Sequence, residues 1–337
     1  MNAVAAPLLE LREISRRFSR RLDLAGRIAR MLGARVTEAT VYALDGVSLA
    51  VREGEVVGLV GESGCGKSTL GRIVARVIEP TRGERFWKGR PYAEYESEAM
   101  RPERLAVQMI FQDPYASLNP RMRILDIVGE APVVHRLVDA REREGYVAAM
   151  LDRVGMDASL MRRFPHQFSG GQRSRIGIAR ALAVKPRFLV CDEAVAALDV
   201  SIQAQVLNLF IRLREELALT YLFISHDLGV VRHVSDRVVV MYLGRVVESG
   251  PTAEMYAQPN HPYTQALIAE VPRIDSRHRR YIPIKGEIPS ALAPPPGCHF
   301  HPRCPHAFAR CREEIPRLRE IAPGRVSACH LNDTPST

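Results

Sequence analysis

No run of apolar residues in the 337-residue chain approaches the ~18–20 needed to cross a bilayer as a helix. The first residues, Met1 to Leu9, turn charged too early for a secretion signal, so the expectation is a chain that folds and remains in the cytosol. Six cysteines in such a chain argue against disulfides and for metal or redox chemistry. Acids are the scarcer charge, 38 Asp and Glu against 47 Lys and Arg, a net of +9. A basic balance fits nucleic acid, an anionic membrane surface or a well-solvated exterior. Arginine is spread along the whole chain, which favours the solvated exterior, with a membrane surface second. Core material is plentiful: 46% hydrophobic and 25% charged residues suit one large domain or two smaller ones.

The most informative stretch is Gly61-Glu62-Ser63-Gly64-Cys65-Gly66-Lys67-Ser68-Thr69, which fits G-x-x-x-x-G-K-[ST]. Residues 55–60 ahead of it are apolar and β-branched, the pattern of a buried parallel strand. Residues 69–78 behind it have helical spacing and stop before Pro80. Strand, glycine loop and helix start together make a phosphate cradle, with converging N–H groups and a helix dipole that favours an anion. Lys67 can reach the β/γ oxygens and the Ser68 hydroxyl can hold Mg²⁺. A glycine-rich surface turn would not need that lysine and hydroxyl in register.

Strands are expected over residues 8–18 and 42–52, with an exposed arginine-rich excursion over 19–41 between them. Phe18 is a candidate to stack on adenine, Tyr42 competes with it, and a plain core aromatic is about as good an account of either. A further strand over 106–111 ends in Gln112, where ligand-facing groups of such sheets sit, and Gln112 can touch Mg²⁺ or the attacking water. A mostly helical insert follows, about residues 113–175. Ser169-Gly170-Gly171-Gln172 then opens a second anion-binding helix start, which a single phosphate site does not need. It becomes useful if it faces the γ-phosphate on another subunit. The apolar strand 188–193 ends in Asp192, placed to hold Mg²⁺ through water, and Glu193, placed to polarise a water for in-line attack. Ala197-Leu198-Asp199 makes a tight loop, and His226 ends the next strand as a candidate γ-phosphate contact.

In this order the elements resemble the nucleotide-binding subunit of ABC transporters over roughly residues 8–250. More finely, Glu62 to Arg72, Phe111 to Arg121, Leu198 to Gln205, and the tail from His261 through Pro305 are similar to the F subunit of oligopeptide/dipeptide importers. That resemblance implies an α/β fold: a P-loop (RecA-like) ABC ATPase core with an antiparallel β subdomain and a helical insert, plus a small Cys-rich C-terminal extension. Its expected domains are 1–250 for the cassette and 251–337 for the extension. It implies ATP hydrolysis with Glu193, His226 and Gln112 as catalytic groups. Nucleotide would be held by Phe18, Gly61 to Thr69, Gln112, Ser169 to Gln172 and Asp199, and Mg²⁺ by Ser68, Gln112 and Asp192. The implied partners are a paralogous second ATPase (the D subunit), two transmembrane permease subunits and an extracytoplasmic substrate-binding protein, with no nucleic acid. The implied place is the cytoplasmic face of the inner membrane, held peripherally. The chain departs from the family pattern at Ala194 (usually Pro), Ala196 (usually Ser) and Ser174 (usually Gln), while Phe168 differs only from the wider ABC class. Neither a second ATPase half nor a long coiled-coil insertion is present, which speaks against the alternative of an ABC ATPase acting on DNA or ribosomes. Glu193 and His226 speak against a non-hydrolysing partner subunit.

Cys298, Cys304, Cys311 and Cys329 lie in the tail, separated by five, six and seventeen residues. The proline-rich lead-in from Pro289 to Pro296 marks a boundary, and a small lobe beyond it would need a metal staple. Zinc suits thiols chemically, but the C-x2-4-C spacing of structural zinc is missing. Cys₄ ligation of an iron–sulfur cluster is the other chemical option, and the family resemblance implies a [4Fe-4S] cluster here. Four reduced buried thiols are the least favoured expectation.

Overall fold

A computed structural model describes residues 6–19, 40–95, 100–113, 115–270 and 286–333. The expected excursion over 19–41 lies outside them except at its ends, as does Pro114. Short, mostly apolar runs form interior strands, because both faces of a parallel sheet are covered. Val56–Val60 (β3), Phe188–Asp192 (β7) and Thr220–Ile224 (β8) are each buried at every position. With Val107–Ile110 (β6) and Arg237–Tyr242 (β9) they make the parallel part of one sheet, β9-β3-β8-β7-β6. Antiparallel strands Arg245–Pro251 (β10), Arg319–Ala322 (β11) and Arg325–Ser327 (β12) extend it to eight, in the order β11-β12-β10-β9 at that side.

A second, antiparallel sheet has the order β2-β1-β4-β5, from Leu9–Ser19 (β1), Thr40–Val51 (β2), Arg82–Trp87 (β4) and Arg90–Pro91 (β5). Its Leu9, Leu11, Ile14 and Leu44 share a core with Leu70, Ile73 and Val74 of the helix Lys67–Val74 and with Leu59 and Met241 of the large sheet. A separate core joins the insert helices Ile124–Val134 and Arg143–Arg153 to the helices Gly170–Leu182 and Val200–Leu217 through Val128, Leu151, Ile176 and Phe210. The helix after the phosphate loop starts two residues earlier than its periodicity suggested and ends at Val74, because Arg76 takes a left-handed φ of +61°. Among the described residues no helix is long and apolar enough to cross a membrane.

Candidate functional site

β3 delivers the chain into the glycine turn, and the turn delivers it into the helix Lys67–Val74. Gly66 has φ +105°, and a Cβ there would lie 2.4 Å from the Ala43 carbonyl oxygen, so only glycine fits. Ser63, Gly64, Gly66, Lys67, Ser68 and Thr69 face a cavity of about 600 Å³. Lys67 is 4% exposed and lays its ammonium on the carbonyls of Gly61 (2.6 Å) and Glu62 (3.0 Å). A buried cation whose hydrogen-bond partners are neutral is poised for an anion.

The ends of β6, β7 and β8 bring the remaining polar groups to the same place. Ser68 donates its hydroxyl hydrogen to Asp192 Oδ1 at 2.8 Å. Burial pushes the Asp192 carboxyl above the usual carboxylate range, against the pull of Ser68 and Arg72. A buried acid hydrogen-bonded to the cavity-lining Ser68 hydroxyl supplies oxygen ligands of the kind magnesium takes. The Glu193 carboxylate accepts from Gln112 Nε2 at 2.7 Å and lies 3.3 Å from His226 Nδ1. Its backbone N–H donates to the Ile224 carbonyl at 3.0 Å, with φ at +48°. A non-glycine residue held there costs roughly 1–3 kcal/mol, and such strain collects at functional sites. Gln112, Glu193 and His226 all line the cavity, as does Phe18.

Other expected site residues stand elsewhere. Gly61, Glu62 and Cys65 shape the loop without lining the cavity, and the Cys65 sulfur is 3.8 Å from Lys67 Nζ. Tyr42 lies under the Arg17 guanidinium, 5.0 Å from its ring centroid, and does not line the cavity. Ser169, Gly170, Gly171, Gln172 and Asp199 do not line it either. Ser169 caps the helix Gly170–Leu182: its Oγ accepts the Gln172 N–H, while Gln172 Oε1 accepts the Ser169 N–H. Gly171 also has a packing reason, since a Cβ there would lie 2.4 Å from Ile202 Cγ2. Asp199 opens the helix Val200–Leu217 without a side-chain cap. Buried Ser174 donates to the Ala194 carbonyl at 3.4 Å, tying two of the family departures together.

Sequence reasoning missed five residues. Val41, Ala43 and Ala291 also line the cavity. Tyr263 Oη accepts the Glu62 N–H at 2.9 Å, and Arg303 grips the Glu62 carboxylate with two bonds of 2.7 and 2.9 Å. These last two lie 201 and 241 residues away along the chain, in the tail that is similar to the importer subunit, and nothing local ties them to Glu62.

The expected metal centre in the tail is corrected. Among the described residues no group of three or more His, Cys, Asp or Glu side chains is disposed to hold a metal ion, so neither the [4Fe-4S] cluster nor zinc is supported. Cys298, Cys304, Cys311 and Cys329 do face a common cavity, but it is only about 10 Å³ and is shared with four histidines and with Pro262, Phe300 and Leu331. Burial pushes the Cys298 and Cys329 thiols up to about 11, and that of Cys304 upward. The lobe also needs no staple of its own. Phe300 packs edge-on against Tyr242 at 5.3 Å and lies 5.3 Å from Tyr263, in one core with Val60, Val240 and Met255. Such aromatic pairs add about 0.5–1.5 kcal/mol each beyond the area they bury.

A phosphate loop, an acid pair at the end of another strand of the same sheet and a serine-capped helix standing outside the pocket define an ATPase cassette of the P-loop class. Comparison with known proteins narrows the class. The ABC transporter family matches residues 44–196, and the C-terminal region of the oligopeptide/dipeptide transporter family matches 247–311. The oligopeptide transport ATP-binding protein AppF of Bacillus subtilis (strain 168) is 50% identical over 328 residues, 96% of this chain and 97% of that protein. The dipeptide transport ATP-binding protein DppF of Haemophilus influenzae is 49% identical over 290 residues, 86% of this chain and 89% of that protein. Among solved structures, the dimeric ATP-binding cassette MJ0796 in a post-hydrolysis state with ADP and Pi has a TM-score of 0.61 at 25% identity, covering 72% of this chain and 98% of that one. This chain therefore belongs to the ABC transporter family, among the ATP-binding proteins of its oligopeptide/dipeptide branch. It is an ATP-hydrolysing subunit that uses ATP with Mg²⁺ and works with transmembrane permeases.

Proposed function

We propose that this subunit drives the import of di- and oligopeptides. It pairs head to tail with a paralogous second ATPase, the D subunit, beneath two transmembrane permease subunits supplied by an extracytoplasmic binding protein. The complex holds it peripherally on the cytoplasmic face of the inner membrane. Residues 1–250 act as the ATPase cassette, the insert at about 113–175 meets the permeases, and 251–337 form the extension.

Phe18 stacks on the adenine, while Lys67 and the loop N–H groups from Gly61 to Thr69 hold the phosphates. Ser68, Gln112 and Asp192 would hold Mg²⁺, which neutralises charge on the β- and γ-oxygens when bound. Glu193 takes a proton from the attacking water, and Gln112 and His226 fix its carboxylate for that task. Ser169 and Gly171 of one subunit, flanked by Gly170, Gln172 and Asp199, close the pocket of the other.

The observation that carries this is a separation. Lys67, Ser68, Gln112, Glu193 and His226 surround one cavity, whereas Ser169 to Gln172 lie outside it, so a pocket using both sets takes two chains. The test is reconstitution of the assembled complex in proteoliposomes. Hydrolysis is expected to rise when peptide-loaded binding protein is added and to vanish with Lys67→Ala. A rate indifferent to peptide would refute the cargo, and undiminished ATP binding by Lys67→Ala would refute the site.

A further inference from the structure

The C-terminal extension touches the nucleotide site at two places. Ala291 lines the cavity, and its carbonyl accepts the Tyr42 N–H at 3.1 Å, beside the cavity residues Val41 and Ala43 of β2. Arg303 reaches the phosphate loop itself. It sits in the short turn His301–Arg303 between Cys298 and Cys304, is 9% exposed, and clasps both Glu62 carboxylate oxygens at 2.7 and 2.9 Å. Such a paired contact fixes orientation as well as distance. The same guanidinium donates to Tyr242 Oη at 3.4 Å, while its Nε is buried without a partner among the described residues. A buried guanidinium with one donor unmet is held in place by the carboxylate it faces.

Glu62 is thus anchored twice from beyond residue 251, at its side chain by Arg303 and at its N–H by Tyr263. Its carbonyl, with that of Gly61, is where the Lys67 ammonium rests. ATP must draw Lys67 from those two oxygens, so the setting of Glu62 enters the free energy of that exchange. We propose that the C-terminal extension is part of the nucleotide site, with Arg303 a positioning residue that sets the phosphate loop through Glu62. This rests on assigning the loop Gly61–Thr69 to the phosphates. A mere pin of the tail onto the cassette would change folding stability and leave nucleotide affinity alone.

The test uses the full chain, with MgATP affinity measured by calorimetric titration and the nucleotide-free melting temperature recorded beside it. Arg303→Met and Glu62→Gln are each expected to weaken MgATP binding about tenfold, the equivalent of about 1.4 kcal/mol. The double variant is expected to be no weaker than either single one, and Arg303→Lys to recover part of the loss. Glu62→Gln keeps the length of the side chain and leaves Arg303 in place, so it carries the test if Arg303→Met does not fold. Unchanged MgATP affinity in Glu62→Gln overturns the proposal, whatever the melting temperature does, and so do additive losses in the double variant. Lys67→Ala separates the two levels: if it binds MgATP normally, the loop assignment itself falls. If it loses binding while Glu62→Gln does not, only the role of Arg303 falls.

Discussion

Replacing Glu193 with glutamine changes basicity and little else. Glutamine keeps the length of the side chain, its Oε1 can still accept the Gln112 N–H now made at 2.7 Å, and the backbone at φ +48° is unaltered. What disappears is the carboxylate able to take a proton from water. A positioned general base contributes roughly 10²–10⁴ in rate. At 1.36 kcal/mol per tenfold, that is a barrier increase of about 3–5 kcal/mol. Lys67, Ser68 and the loop amides are untouched, so ATP affinity should remain at its wild-type value. The assay is single-turnover hydrolysis by the assembled complex at saturating MgATP, with equilibrium ATP binding measured in parallel. Near-wild-type turnover would remove Glu193 from the base role. Equal losses in binding and turnover would mean that the carboxylate holds nucleotide instead of activating water.

Three further predictions follow from the geometry. Asp192→Asn removes a carboxylate that burial already disfavours, so the nucleotide-free protein should melt no lower, while the Mg²⁺-dependent gain in ATP affinity is lost; retained Mg²⁺ dependence would exclude Asp192 from that role. His261 is buried and pushed down to about 4 by desolvation, with Nδ1 accepting the Tyr263 N–H at 3.1 Å. Its stabilising contribution is complete above the unfolded pKa of about 6.5 and is lost as pH falls towards 4, because only the unfolded chain takes the proton readily; the loss is on the order of 3 kcal/mol at most. Urea melts at neutral and acid pH should show this fall flattened in His261→Gln, and an identical fall in both proteins would refute it. Gly171→Ala should lower stability by about 1–3 kcal/mol through its clash with Ile202, as read by thermal melting. Ile202→Ala in the same chain should restore part of it, and strictly additive losses would refute the clash.

What was legible in the sequence is what local chemistry writes into neighbouring positions. The apolar run Val56–Val60 with glycines and Lys67 behind it defines its own strand, turn and helix. The change from apolar to acidic at Asp192-Glu193 marks a strand end in the same way. Arg303 lies in the tail segment that is similar to the importer subunit, but nothing local ties it to the phosphate loop until the fold brings it to Glu62. The cysteine tail misled for a physical reason: composition counted thiols, but how they are disposed in space is set by packing that no local pattern records. Gly171 shows a residue whose motif and packing reasons coincide, and only the second needed the neighbouring Ile202.

The hairpin of β11 and β12 has a consequence for anyone wishing to trim the protein. It hydrogen-bonds to β10 at Glu248 and Ser249, and Ala328 donates to the Val247 carbonyl. Wholly buried Glu248 takes the N–H groups of Asn260 and His261 at 2.8 Å each and lies 3.5 Å from Arg325. A version cut after Pro251 would strip that acid of its donors and leave a bare strand rim, the surface on which chains stack into insoluble ribbons.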